Sequence, residues 1–322
     1  MSVTLPIDAD GMLERECESG SCAPALFKVR PGTGLSGQPV AYCPYCRHAA
    51  ESNDFTTGAQ KEYAIALAKG EAVDGVDRMV RRALGIGPSN RRKLAEGLIS
   101  MSLEYTPPRK PTALPPVGEE LRRDVVCPHC TLAHAVYSLA VWCPDCGRDI
   151  FITHVEQEVA VVSRMLAAIP QRLETLGPRV AARDLENCLE DLVSIFEASL
   201  KALTRRHLVA SGKDTASAET VMGKTVRNRY QSPMSGAECF KEITGLDLLS
   251  HLDVTQRDSI TRTFAKRHPI THNLGVVDRK YIEQVQSAEL EGRDVRLTES
   301  DVEESTSLAL DVIRSAHHQL FP

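Results

Sequence analysis

The chain has 322 residues, 42% apolar and 25% charged, with only 5% aromatics and a formal net charge of −5. That length allows two domains, and the composition is that of an ordinary globular protein whose Leu, Ala and Val favour helix packing. The slight acidity excludes a general basic coat for nucleic acid, so any polyanion must be met locally.

The opening MSVTLPIDADGMLERECESG is acidic and lacks an apolar core, so no signal peptide is expected. No apolar run approaches the ~18 residues of a membrane span. Ten cysteines are present, and three Cys-x-x-Cys pairs account for six of them. Without an export signal, that spacing points to metal in a reducing compartment, and hence to a cytoplasmic protein.

The first cysteine set is CESGSC followed by CPYC, giving C-x4-C-x20-C-x2-C from Cys17, Cys22, Cys43 and Cys46. It predicts a zinc site, with His48 as the reserve ligand if one arm fails. The intervening RPGTGLSGQP reads as a loop at a hairpin tip. From Thr57 to Ser102 the pattern is helical: Ala64, Leu67, Ala68, Val76, Met79, Val80 and Leu84 recur at helix-compatible intervals. LGIGPSN interrupts it, and NRRKLAEGLISM is read as its resumption, with Arg91, Arg92 and Lys93 on a solvated face. YTPPRKPTALPPVG is an extended connector.

The second cysteine set, CPHCTLAHAVYSLAVWCPDCG, is the sharper signal. Cys127, Cys130, Cys143 and Cys146 form C-x2-C-x12-C-x2-C. Two such turns supply a tetrahedral shell of four thiolates suited to structural Zn²⁺. Four cysteines leave no open position for catalysis, and His129 and His134 are read as exposed neighbours. The segment between the knuckles alternates and suits a short hairpin. In both sets the metal would replace a core too small to fold alone.

From Phe151 the chain turns to long amphipathic segments. Val155, Val159, Val162, Leu166 and Ile169 step by 4, 3, 4, 3 until Pro170. A helix over 183–207 carries Leu185, Leu189, Leu192, Phe196, Leu200 and Leu203 on one face. Residues 209–232 read as a polar loop. Lys201–Tyr230 holds seven Lys/Arg against two acids, a solvated stretch by default and an RNA-facing patch as the minority reading. SGAECFKEIT ends near Gly245 and is followed by a second short helix. VTQRDSITRTFAKRH makes a further helix capped at Thr255, LEGRDVRL a turn, and TESD opens a terminal helix at Thr298. Four main helices of this length are expected to fold as an up-and-down bundle.

FAKRHPITHNLGVVDRKY carries the candidate chemistry. Proline favours a first helical position, so Pro269 is expected to open a new helix. That would put His272 in its first turn, where a neutral imidazole and an anion are both favoured, with Arg267 at the bend before it. Arg267 and His272 make an Arg-x4-His pair. A neutral histidine beside a permanent cation suits phosphodiester cleavage.

With these helices, the Arg-x4-His pair and HNLGVVD, the segment from Phe151 to Pro322 resembles the HEPN superfamily. These are all-helical domains, many of them metal-independent endoribonucleases of toxin and antiviral systems. The CPYC, CPHC and CPDCG ribbons are similar to the zinc-binding front end of some such proteins. The resemblance implies a polar residue after the motif arginine, filled by His268, the histidine at His272, and a homodimer that brings two motif copies to one cleft. Asn273 is a second-tier site residue and Asp278 a structural one. Glu197 is a candidate to orient Arg267, against an i,i+4 pair with Lys201.

The expected fold class is therefore mainly α. A first zinc ribbon with a helical insertion spans 1–106, a connector 107–124, a second ribbon 125–150 and a HEPN-like bundle 151–322. The expected function is RNA cleavage to a 2′,3′-cyclic phosphate by a toxin or phage-defence effector. The trigger or antitoxin partner is unknown, and no membrane is involved. The alternative is a non-catalytic dimer that binds nucleic acid or protein.

Overall fold

Strands this short gain stability from neighbours, and four of them, drawn from distant parts of the chain, are pooled into one sheet. Strands β1 (Leu13–Glu16), β2 (Leu26–Val29), β7 (Arg123–Val126) and β8 (Ala133–Val136) form one antiparallel sheet in the order β1-β2-β8-β7. Its central pairing joins Phe27 to Val136 and Val29 to His134. The segments expected to make two separate zinc modules, 1–106 and 125–150, therefore share a sheet. The segment between the second pair of knuckles does not fold into a hairpin of its own: β8 pairs backwards with β7 and outwards with β2.

The computed structural model describes residues 3–20, 22–88, 90–95, 101–114, 123–285 and 290–322. It is mainly helical with small antiparallel sheets. Two units separate: Met1–Tyr137 with Cys143–Gly147, and Ser138–Trp142 with Arg148–Pro322.

In the first unit β3 (Val40–Tyr42) and β4 (Ala49–Glu51) make a hairpin with Cys43 and Cys46 at its turn. RPGTGLSGQP is not that turn but the link from β2 to β3. Helix α1 (Gly58–Leu84) is capped by Thr57, which accepts from the Gln60 N–H while Gln60 returns the bond. NRRKLAEGLISM does not resume the helix. Over the described residues it contributes β5 (Arg91–Ala95), paired with β6 (Met101–Glu104). Gly85 in the left-handed region ends α1, and Asn90 also has positive φ, so the chain reverses where the helical reading would have continued.

The second unit is built on helices α2 (Phe151–Ala167), α3 (Ile169–Leu176), α4 (Pro178–Ala210), α5 (Thr215–Val221), α6 (Pro233–Thr244), α7 (Val254–Ala265), α8 (Arg267–Asn273), α9 (Arg279–Val285) and α10 (Glu299–Leu320). Leu189, Leu192, Phe196, Leu200 and Leu203 of α4 are buried, as their spacing predicts. They pack with Val155, Val159 and Val162 of α2 and Val302, Leu308, Val312 and Ile313 of α10. α4 contacts α2, α3 and α10, and α10 also packs on α7. Pro170 does not stop α2 so much as begin α3 at its second position.

The stretch 209–232 is more ordered than its composition suggests: α5 runs into a π-helical turn, Met222–Val226, and a 3₁₀ turn, Arg229–Gln231. Buried Tyr230 anchors it through a 2.6 Å bond to Thr204. Gly245 ends α6 as expected, but the segment after it is a turn, not a helix. The cap of α7 is Asp253, not Thr255, with Gln256 closing the box. Thr298 and Asp301 cap α10 reciprocally. Among the described residues, no helix is long and apolar enough to cross a membrane.

Candidate functional site

Two groups of four cysteines converge in the first unit. In each, the four sulfurs lie within 4.8 Å of one another. The nearest pairs are Cys22–Cys43 at 3.6 Å and Cys17–Cys46 at 3.7 Å, then Cys130–Cys143 at 3.5 Å and Cys127–Cys146 at 3.8 Å. A disulfide would need ~2.05 Å, so these are free thiols, and each group of four could hold one ion. The Cys-x-x-Cys spacing builds the same turn three times. Arg47, Thr131 and Gly147 each donate backbone N–H to the carbonyl of the first cysteine, Cys43, Cys127 and Cys143 respectively, and each has φ near +60°. The turn aims both thiols at one point.

The two groups are bolted together within the unit. The Tyr42 N–H donates to Pro144 at 2.8 Å. The Tyr45 hydroxyl donates to the Leu26 carbonyl and accepts from the Tyr137 N–H. His48 is exposed against Phe55 and His129 is exposed, and neither belongs to a cysteine group. His134 was expected at the surface but is fully buried in β8, because the sheet gives that strand two neighbours.

The Arg-x4-His segment lies in the second unit and departs from its expected geometry. Helix α8 begins at Arg267, two residues before Pro269, and follows α7 after the single residue Lys266. Proline is tolerated there because it still lies in the first turn, where its missing N–H leaves no bond unmade. His272 consequently falls in the last turn of a seven-residue helix, not at a helix N-terminus. The dipole argument for its neutrality does not apply.

Arg267 is half-buried and donates from Nη1 to the Gln231 side chain at 3.1 Å. Gln231 in turn donates to Glu197 at 2.9 Å, and Glu197 also pairs with Lys201 at 2.6 Å. Of the two readings offered for Glu197, the i,i+4 pair with Lys201 is the one formed; its other oxygen accepts from Gln231, which separates it from Arg267. Arg267 Nε is buried with no hydrogen-bond partner among the described residues.

His268 and His272 stand one turn apart with ring centroids 5.0 Å apart, His272 exposed and His268 half-buried. Asp278 closes this side. It lies 3.5 Å from His268 Nε2, accepts from Asn273 at 2.7 Å, and caps α9 through the Tyr281 N–H at 2.8 Å. The Tyr281 N–H foremost, with the Asn273 amide, holds the Asp278 carboxyl below its usual range. Burial, then the nearby Lys280, holds the His268 imidazole below its own, against the pull of Asp278. A histidine neutral near pH 7 beside an ionised carboxylate is a proton-accepting arrangement.

The fold thus gathers His268 and Asn273 around Asp278, with His272 beside the His268 ring. It ties Arg267 to Gln231 and, through Gln231, to Glu197, and among the described residues Arg267 makes no hydrogen bond to either histidine. Sequence reasoning missed Gln231, which sits in a stretch read as loop, and the part played by Asp278. Of the seven cations over Lys201–Tyr230, four have carboxylate partners: Lys201, Arg205, Arg206 and Arg229. The basic stretch is therefore largely neutralised within the fold.

Comparison with protein-family models, curated proteins and solved structures finds no match.

Proposed function

We propose that the chain is a metal-independent endoribonuclease of HEPN type, acting as a toxin or phage-defence effector, whose first unit is stapled by two structural Zn²⁺ ions. Tetrahedral Zn–S bonds of ~2.3 Å set the sulfurs ~3.8 Å apart, close to the separations of both cysteine groups. Cys17, Cys22, Cys43 and Cys46 would hold one ion, and Cys127, Cys130, Cys143 and Cys146 the other. The ions supply stability, and no chemical step passes through them.

The observation that carries the nuclease reading is the pair of imidazoles 5.0 Å apart, one of them against an ionised carboxylate, on the helix that also carries the anchored Arg267. The geometry favours His268 as the base and His272 as the acid. His268, neutral through burial and oriented at Nε2 by Asp278, accepts the ribose 2′-hydroxyl proton at Nδ1. The 2′-oxygen attacks phosphorus, and the bond to the 5′-oxygen breaks. His272 in its protonated form donates to the departing 5′-oxygen, leaving a 2′,3′-cyclic phosphate and a 5′-hydroxyl. Arg267, of the same or a second subunit, stabilises the charge on the phosphorane oxygens.

The test is incubation of the full chain with an RNA pool in buffer without added divalent cations, with product ends read by mass spectrometry. Cyclic-phosphate ends are expected, and DNA of the same sequence should stay intact. His268→Ala and His272→Ala should each lower kcat by about 10²–10⁴-fold. Asp278→Asn should lower kcat by at least about ten-fold with little change in KM, and Asp278→Glu should recover part of it. Undiminished cleavage by the folded His268→Ala variant overturns the mechanism.

The second reading is a non-catalytic dimer that binds nucleic acid or protein. The engagement of Arg267 by Gln231, away from the histidines, is the observation in its favour. Absence of cleavage by the wild-type chain across RNA pools would select it.

A further inference from the structure

Helix α1 keeps an apolar stripe outward. The side held by the rest of the first unit is mixed: Tyr63 and Leu67 are half-buried there, Asp74 pairs with Lys110 at 2.6 Å, Arg81 bonds Asn90 and Gly87, and the Arg81 guanidinium lies 5.4 Å over the Tyr105 ring. The opposite side carries Ile65, Ala68, Ala72, Val76, Met79 and Ala83, spaced 3, 4, 4, 3, 4, and every one of them is exposed. At ~100° per residue these six fall in one narrow stripe. Ile65 is 52% exposed, Val76 49% and Met79 65%. Only Gln60 of the whole helix is buried. Ala68, Val76 and Met79, which the sequence reading counted towards the helical pattern, lie outward, whereas Ala64, Leu67 and Val80 of the same set are half-buried.

We infer that this stripe is a self-association surface, covered by α1 of a second copy of this chain running antiparallel. Two features choose a second copy. The first is shape. With the two-fold axis beside Val76, between Gly75 and Val76, Met79 of one helix falls on Ala72 of the other, and Ala83 on Ala68. The largest side chain thus meets a small one, and the backbones can approach closely. A parallel pairing would instead stack Met79 on Met79 and leave gaps at the alanines.

The second feature is charge. Glu71 and Arg82 are exposed, have no ion pair among the described residues, and lie about three turns apart on one flank of the stripe. In the same antiparallel register each faces the other's counterpart, so two Glu71–Arg82 pairs flank the apolar seam. No like-charge pair is created along it.

The overlap, Ala68 to Ala83, is ~24 Å long. That is at the low end for a specific interface, so dimerisation should depend on concentration. This surface belongs to the metal-binding unit and does not rest on the nuclease reading.

Sedimentation velocity on the full zinc-loaded chain over about 1–200 µM tests it. The wild type should dimerise, and Val76→Glu should be monomeric throughout with unchanged circular dichroism and zinc content. Glu71→Arg should raise the dimer Kd about ten-fold, and adding Arg82→Glu should restore it. Val76→Cys should cross-link to itself on mild oxidation, with the linkage mapped by peptide mass spectrometry, while Ile65→Cys should not. A monomeric wild type, a dimer indifferent to Val76→Glu, or equal cross-linking of both cysteine variants overturns the proposal.

Discussion

Arg206 shows how much one side chain can hold in place. Its guanidinium lies 4.4 Å over the Trp142 ring and 3.6 Å over Phe321, and it pairs with Asp149. Asp149 also bonds His317 at 3.1 Å and the Phe151 N–H at 2.9 Å. Burial works to raise the Asp149 pKa, but the His317 bond, the Phe151 N–H and Arg206 together bring it down to about 2. The folded value lies below the unfolded one of ~3.9. The contribution is therefore fully present above pH 4 and lost as pH falls from about 4 to 2. Asp149→Asn should remove about 2 kcal/mol at pH 7 and flatten the stability loss over that acid range, as read by urea unfolding at stepped pH. A second residue-scale expectation concerns Thr131, β-branched yet at φ +64°, where the equivalent position in the last knuckle is Gly147. Thr131→Gly should relieve strain and stabilise the first unit by about 1 kcal/mol, measured by thermal unfolding of the metal-loaded chain. A loss of stability would mean that the Thr131 hydroxyl bond to Cys130 outweighs the strain.

Helices were most legible where a cap and a periodic face agreed. Thr298 with Asp301, and the spacing of Leu189, Leu192, Phe196 and Leu200, define α10 and α4 without tertiary information. Elements failed where local signals compete. NRRKLAEGLISM has helix-forming residues, but Gly85 and Asn90 in left-handed conformations turn the chain, and its β5 portion gains ladder bonds from β6. The π and 3₁₀ turns over 222–231 carry no apolar period. They exist because Tyr230 is buried against Thr204 and Cys239 sits beneath them. The same turns deliver Gln231 to Arg267, so the support of the candidate site was invisible for the reason its segment looked like loop. Pro269 is the converse case: a correct rule about first-turn proline was applied two residues late, and it carried His272 from one end of a short helix to the other.

At the scale of the molecule, the two units are stabilised by different physics. The second has a large apolar core running from Val141 through Phe196 and Leu200 to Ile313. The first has short strands, an outward-facing α1 and two four-cysteine groups. Strong chelation under reducing conditions should therefore unfold the first unit and leave the second cooperative. The expected result is loss of any bound metal with retention of most far-ultraviolet helical signal and a surviving thermal transition. Simultaneous collapse of both transitions would contradict this division.

What the sequence determined by itself were features set by local covalent spacing: the cysteine knuckles, the capped amphipathic helices and the lack of an apolar span. Each is written within a few residues, where backbone geometry alone fixes which atoms meet. The tertiary structure decided the pooling of β1, β2, β7 and β8 into one sheet, the direction α1 faces, and the partners of Arg267 and His268. Those depend on which distant segment fills the space beside a residue, and burial and long-range hydrogen bonds leave no periodic trace in the chain.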